Sequence, residues 1–325
     1  MSRVPFTLTI VAVLGAGAAL ALYGSGTSEP ALLVANKNGA SLYLVDPRSG
    51  EVADSVATGA GPHEVAAAPE TRRAFVANYG EGTISVINID GPSETARWQL
   101  EATRRPHGIA VGPNEERVYV TAEDQQAVLE LDAASGTALR TFETGQDVTH
   151  MLALAPNASA LFATSIGSGT ATKIDLEPEK VGTPTETGDG AEGVAVSPDG
   201  AEVWVTNRAD DTVSILDAAS FSVVDSLSVP GFPIRVDVSP DGRHALVSAP
   251  RAGEVAVYNA DQRRLMTRLD VGQKPIGVLA PTDDRAYVAN AGSGTVSVID
   301  LNARAVVDTI AAGQGPDGMA YVPTP

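Results

Sequence analysis

Cysteine is absent from all 325 residues. That excludes disulfides, thiolate nucleophiles, Cys-ligated zinc, a c-type haem attachment motif and a lipid-modified cysteine. Aromatic residues make up only 5% of the chain, whereas glycine (32) and proline (21) are plentiful. This balance suits many short strands joined by tight turns and speaks against a helical bundle. Basic residues are outnumbered: 22 Lys and Arg against 40 Asp and Glu leave a formal net charge of -18. Phosphate binding needs a basic stripe, so nucleic acid is not expected as a partner. The same charge favours solubility and would attract cations or a basic protein surface.

Two catalytic signatures are missing as well. No serine pentapeptide with a strand-to-helix elbow occurs. The glycine-rich pieces Gly167-Ser168-Gly169 and Gly292-Ser293-Gly294 read as turns between strands, with no helix behind them to cradle a phosphate. Asn157-Ala158-Ser159 has the form of a glycosylation acceptor but falls in a predicted turn.

What is present begins with a leader. Arg3 precedes a charge-free stretch, apolar mainly between Phe6 and Tyr23, with a small-residue cleavage-like site at Ala19-Leu20-Ala21. Residues 1–29 read as a secretory signal peptide. The alternative is an uncleaved anchor through residues 5–23, close to the roughly 17–25 residues that span a bilayer. Either way the rest is expected in the periplasm or outside the cell, and any membrane contact runs through this segment alone.

From residue 31 the chain repeats itself. Pro62, Pro106, Thr149, Ala191, Pro233, Pro275 and Pro316 occupy one equivalent position, at intervals of 44, 43, 42, 42, 42 and 41 residues. A fixed period of this size marks a solenoid, array or propeller. Four strands recur within each copy. The first follows the Pro position, as in Gly193-Val194-Ala195-Val196, and ends in a turn such as Ser197-Pro198-Asp199-Gly200, where Pro presets φ and Gly supplies the left-handed position. The second is Val203-Trp204-Val205, the third Thr212-Val213-Ser214-Ile215, and the fourth, expected to be shorter, Val223-Val224-Asp225-Ser226-Leu227. Period-two alternation makes these antiparallel strands.

The chain starts mid-repeat with a second-strand match at Leu32-Leu33-Val34-Ala35-Asn36. It ends mid-repeat with a first-strand match at Pro316-Asp317-Gly318-Met319-Ala320-Tyr321-Val322. Six whole copies and one composite give an all-β, seven-bladed propeller over residues 30–325, closed by pairing of the terminal strands. Full closure offers no obvious edge for oligomerisation, so a monomer is expected.

Phe75-Val76-Ala77-Asn78, Trp204-Val205-Thr206-Asn207 and Tyr287-Val288-Ala289-Asn290, with Gly294 to Asp300 continuing the last, resemble the Tyr-Val-Thr-Asn repeat. Over roughly residues 31–325 the chain is similar to the propellers of that family, including the exported YncE-like proteins. The resemblance implies the propeller fold. It implies little about function, because the family embraces surface-layer proteins, periplasmic propellers of unknown role and domains of redox enzymes. Leu161-Phe162-Ala163-Thr164-Ser165 departs from the motif while keeping its register.

Strand direction places the loop before strand one and the loop between strands two and three on one face. The residue after the repeat's Pro position is then Asp317, His63, His107, His150, Glu192, Ile234 and Ile276 in ring order. Three of the four histidines share this position; His244 belongs to the opposite face. A channel mouth with convergent polar groups is where a site is expected. His63, His107 and His150, with Glu123 or Glu192, are candidate ligands for a divalent transition metal, since neutral imidazoles and carboxylates suit such ions. The alternative is that Pro-His-Gly is a structural feature of the repeat. Glu64, Tyr79, Arg208, Arg235 and Asp317 are candidate ligand-binding residues, with Glu81 close by. Arg208 and Arg235 either clamp a carboxylate or phosphate or pair with Glu192.

These readings favour an exported binding protein holding a small ligand, metal ion or partner loop at the mouth. The alternatives are a metal-dependent lyase or lactonase-like enzyme, which rests on fold analogy, and an accessory scaffold for a periplasmic redox system.

Overall fold

In the computed structural model, which describes residues 29–101 and 105–324, the repeats form seven antiparallel sheets around a central axis. The expected leader lies, but for Glu29, outside the described residues. Blade 1 is the composite: the C-terminal strand Pro316–Val322 is innermost, followed outward by Ala31–Asn36, Ser41–Val45 and Val52–Ala57. Its closing register pairs Leu32 with Tyr321, Leu33 with Ala320 and Val34 with Met319. Blades 2 to 7 have inner strands Pro62–Ala68, Pro106–Val111, Thr149–Leu154, Ala191–Val196, Val236–Val238 and Pro275–Leu279.

Each sheet buries both faces against its neighbours. Seven apolar clusters result, one at each junction between successive blades. Between blades 2 and 3, Phe75 and Trp98 pack at 5.3 Å between ring centroids. Between blades 5 and 6, fully buried Trp204 meets Tyr258. Burial of such side chains supplies roughly 1.5–3 kcal/mol each and makes every blade depend on the next. The cluster joining blades 7 and 1 contains Tyr287 from one and Leu32 and Met319 from the other, so the ring is closed by packing as well as pairing.

Two local expectations are corrected. The fourth strands are not shorter: Ser222–Ser228 and Arg264–Asp270 each hold seven residues, one more than the second strands of the same blades. Their outward side chains face solvent, so the apolar run that signals a strand is short although the hydrogen-bonded ladder is not. Blade 4 is the exception, its outer edge split into Glu179–Val181 and Thr185–Glu186. The second departure is a single helical turn among the described residues, Glu123–Gln125, within the loop between strands two and three of blade 3.

The repeat's Asn has a clear job. Asn78, Asn207 and Asn290 each donate from Nδ2 to two hydroxyls across the following turn, Thr83 and Ser85, Thr212 and Ser214, and Thr295 and Ser297. These buried bonds fix the loop between strands two and three, which borders the channel mouth.

A candidate ligand site at the channel mouth

Where the next-to-last residue of a second strand carries a hydroxyl, it links one blade to the next. Thr121 accepts the N–H of Gly108 and donates to the carbonyl of His150 (2.6 Å). Thr206 makes the same bridge from Gly193 to Ile234, and Ser248 from Arg235 to Ile276. The hydroxyl therefore sets the height of the mouth residue on the neighbouring inner strand. That residue also sits where the inner-strand register shifts, between Pro62 and Glu64, Pro106 and Ile109, Thr149 and Leu152, and Ala191 and Val194. Such irregularities re-aim side chains. Here they turn His63, His107, His150 and Glu192 toward one another.

The three imidazoles do come together. His63 and His107 rings lie 4.6 Å apart, and His107 stacks on His150 at 3.7 Å. Nε2 of His107 is 2.9 Å from Nδ1 of His63, and Asp317 Oδ2 is 3.4 Å from the same Nδ1. His150 is engaged differently: Nδ1 meets Glu123 at 2.5 Å, and Nε2 is 3.6 Å from Glu192. Glu123 also accepts from the Tyr79 hydroxyl at 2.8 Å.

Arg235 occupies the centre. From blade 6 it reaches Glu64 of blade 2 (Nη2 to Oε1, 2.8 Å) and Glu192 of blade 5 (Nη1 to Oε1, 3.2 Å). Glu192 takes Arg208 on its other oxygen at 2.7 Å. Of the two readings open for these arginines, the structure has both paired with Glu192. Gly318 makes room for the strut, since a Cβ there would lie 2.5 Å from the Glu64 carboxylate. Glu81 sits farther out, accepting from Ala60 N–H and pairing with Arg97. His244 begins a second strand on the opposite face, as expected.

Electrostatics divides the histidines. Burial, with Lys37 and Arg235 adding to it, lowers His63 to about 3. Burial and the neighbouring imidazoles hold His107 well below its ordinary value. Burial opposes charge on His150 too, but Glu123 and Glu192 outweigh it and raise its pKa. For Glu192, burial is outweighed by His150, Arg235 and Arg208, and its pKa falls to about 2. Burial raises Asp317 to about 6. Two imidazoles at the mouth are thus biased toward the neutral form and the third toward the charged one.

Among the described residues no group of three or more His, Asp or Glu side chains has the arrangement of a metal site. The candidates are split: His63 and His107 bond each other, while His150, Glu123 and Glu192 form a separate ion-paired chain. Nδ1 of His107 and Oδ1 of Asp317 are buried without a partner. A groove of about 650 Å³ lies on the other face, lined by Pro30, Pro47, Pro281, Tyr287, Tyr321 and Pro323 among others. Arg48, Asp284 and Arg285 line it as well, but no histidine or glutamate does.

A profile for the YNCE-like beta-propeller matches residues 5–286. The chain belongs to that family. It is 24% identical over 196 residues to the uncharacterized protein YncE of Salmonella typhi and, equally, to that of Salmonella typhimurium, covering 58% of this chain. The chain spans about half the length of these relatives, 54%. Among solved structures it is similar to Kuenenia stuttgartiensis hydrazine synthase, at TM-score 0.72 and 21% identity over 83% of this chain and 92% of that one. It is also similar to a functionally unknown protein from Desulfotomaculum acetoxidans, at TM-score 0.79 and 14% identity over 91% and 99%. Likeness at such identities carries the fold alone.

One residue that sequence reasoning passed over is Phe232, the residue before Pro233. Its ring lies under two guanidiniums, with Arg251 Cζ 3.9 Å and Arg208 Cζ 5.4 Å from the centroid. The signal was available: the same repeat position holds glycine in three other blades, Gly61, Gly190 and Gly315.

Proposed function

We propose that this YNCE-like propeller is a binding protein that takes a small polar ligand at the channel mouth. One observation carries the reading. Arg235 bridges Glu64 and Glu192 across the axis, so the mouth has a charged, braced floor in place of an open bore. Above and around it stand side chains that keep some exposure, including His63, Tyr79 and Arg208. Groups locked by mutual hydrogen bonds are preorganised, which lowers the ordering cost of binding. The apolar leader supports a location outside the cytoplasm.

A thermal-shift screen of the purified protein tests this. The panel holds neutral sugars, amines, carboxylates, and Zn²⁺, Mn²⁺ and Cu²⁺, and it is repeated on Tyr79→Phe and Arg208→Gln. A small organic class should raise the unfolding midpoint, and at least one variant should lose the response. No response from any class would remove the binding reading. Stoichiometric metal in the purified protein, lost from a His63→Ala/His107→Ala pair, would replace it with a metal centre.

A further inference from the structure

The mouth has two unlike halves. Blades 1 to 5 contribute Asp317, His63, His107, His150 and Glu192; blades 6 and 7 contribute Ile234 and Ile276 at the same position. Both isoleucines are buried. The turn before each inner strand adds a second contrast. It needs a left-handed residue, supplied by Gly61, Gly190 and Gly315 in blades 2, 5 and 1 at φ of 60°, 73° and 66°. Phe232 and Lys274 hold the same position in blades 6 and 7 at 66° and 53°. Glycine adopts this conformation freely, whereas a bulky L-residue is strained there. Val148 does likewise in blade 4 at 58°, so strain alone singles out nothing.

What distinguishes blades 6 and 7 is the company these residues keep. The Phe232 turn is braced by Asp211, whose Oδ1 accepts the N–H groups of Gly231 (3.1 Å) and Phe232 (2.7 Å). The ring is thereby held beneath Arg208 and Arg251. Arg208 is already tied to Glu192, whereas the Arg251 guanidinium lies over the Phe232 ring. Arg251 and Lys274 are exposed, and no carboxylate among the described residues pairs with either. In a chain where 40 acids face 22 bases, two cations without a carboxylate stand in mouth-side loops of neighbouring blades, one of them over a left-handed aromatic, and offer a place for an external anion.

Resting on the mouth reading above, we propose that blades 5 to 7 form an anion half-site for a small carboxylate with an apolar body. The carboxylate pairs with Arg251 and Lys274, and the body lies toward Phe232 and the Ile234–Ile276 sector. Guanidinium matches the planar, bidentate geometry of a carboxylate. The body is a ring or a short alkyl chain, which the probes below separate.

Isothermal titration of the purified protein uses benzoate and hexanoate, their uncharged counterparts benzyl alcohol and hexan-1-ol, and benzylammonium. At least one carboxylate should bind, at least tenfold tighter than its alcohol and more weakly as salt rises; benzoate preferred over hexanoate assigns a ring, the reverse a chain. Arg251→Gln should weaken it at least tenfold. Phe232→Gly should also weaken it while the unfolding midpoint holds or rises, because glycine relieves the strained φ. Equal binding of acid and alcohol, full binding by Arg251→Gln, or a lowered midpoint in Phe232→Gly overturns the proposal. Binding of benzylammonium or a sugar that Tyr79→Phe weakens, with no carboxylate bound, sinks the carboxylate assignment but leaves the mouth reading standing. Silence from every probe sinks both.

Discussion

Arg235 and Glu64 lie 171 positions apart in the chain and on blades separated by two others, yet their charged groups meet at 2.8 Å across the axis. Both side chains are largely buried, at 8% and 12% exposure, and Glu192 joins the same guanidinium. Burial works against charge on Arg235, but Glu64, Glu192 and Asp317 outweigh it and raise its pKa. Such a pair is weak evidence of net stabilisation, but breaking it from one side is costly. Arg235→Met should therefore cost about 3–5 kcal/mol in urea unfolding at pH 7, because buried Glu64 loses its ion-pair partner while Glu192 keeps Arg208 and His150. Pairing it with Glu64→Gln should recover part of that loss. A single substitution costing under about 1 kcal/mol would mean that water already shields the strut.

The histidines should separate by NMR. His63, lowered to about 3, should stay neutral from pH 7 to pH 4; His107, held well below its ordinary value, should take up its proton at lower pH than a free imidazole, and His150 at higher pH. Linkage gives these opposite signs. The unfolded chain protonates His63 near 6.5 and the folded one near 3, so its contribution is lost as pH falls through that window, by at most about 1.4 kcal/mol per pH unit. His150 stabilises the fold below the unfolded pKa and loses that effect as pH rises through its folded one. Nitrogen shifts of the imidazoles check the assignment: a charged His63 at pH 5 would contradict it.

Asp237 acts against stability at neutral pH. Burial raises its carboxyl to about 6, although Ala280 N–H (2.8 Å) and Val238 N–H (2.9 Å) both donate to it. The folded state thus holds its proton more tightly than the unfolded one, and stability falls as pH climbs from about 4 to 6. Asp237→Asn should raise stability at pH 7.5 by no more than about 3 kcal/mol, since its amide keeps one acceptor for two donors. At pH 4 the gain should vanish. Denaturation curves at the two pH values, with equal gains at both, would show that the effect is not titration.

The 42-residue period made the blades and their closure legible because each blade repeats one solution to the same packing problem. The mouth histidines were legible for the same reason: an equivalent position in a ring is a spatial neighbour. Three things were hidden. The pairing of Arg235 with Glu64 follows from side-chain reach across the axis, which no local pattern encodes. The length of the outer strands was obscured because solvent-facing residues such as Asp225 and Ser226 carry no apolar signal while still joining the ladder. The division of the histidines into a bonded pair and an ion-paired third depends on distances of a few ångströms, finer than spacing along a chain resolves.

Gly277 offers a test of how tightly the inner strands are drawn together. Its φ lies outside the left-handed region, so its backbone conformation would tolerate alanine. Space would not: a Cβ there overlaps the carbonyl oxygen of Asp317 on the next inner strand and lies 3.3 Å from Ala289 Cβ. The obstacle is backbone, which cannot swing aside as a flexible side chain can. Gly277→Ala should therefore cost about 1–3 kcal/mol by overpacking and push Asp317 away from His63. Gly91→Ala, where Asn88 is the single neighbour within 4 Å, at 3.5 Å, should fall within about 0.5 kcal/mol of the wild type. Urea midpoints give the stability comparison, and a shift in the His63 imidazole resonances of Gly277→Ala but not Gly91→Ala would report the displaced mouth. Equal stability in the two variants would mean that the inner ring has slack, and a mouth with slack would not hold its imidazoles and carboxylates in one fixed arrangement.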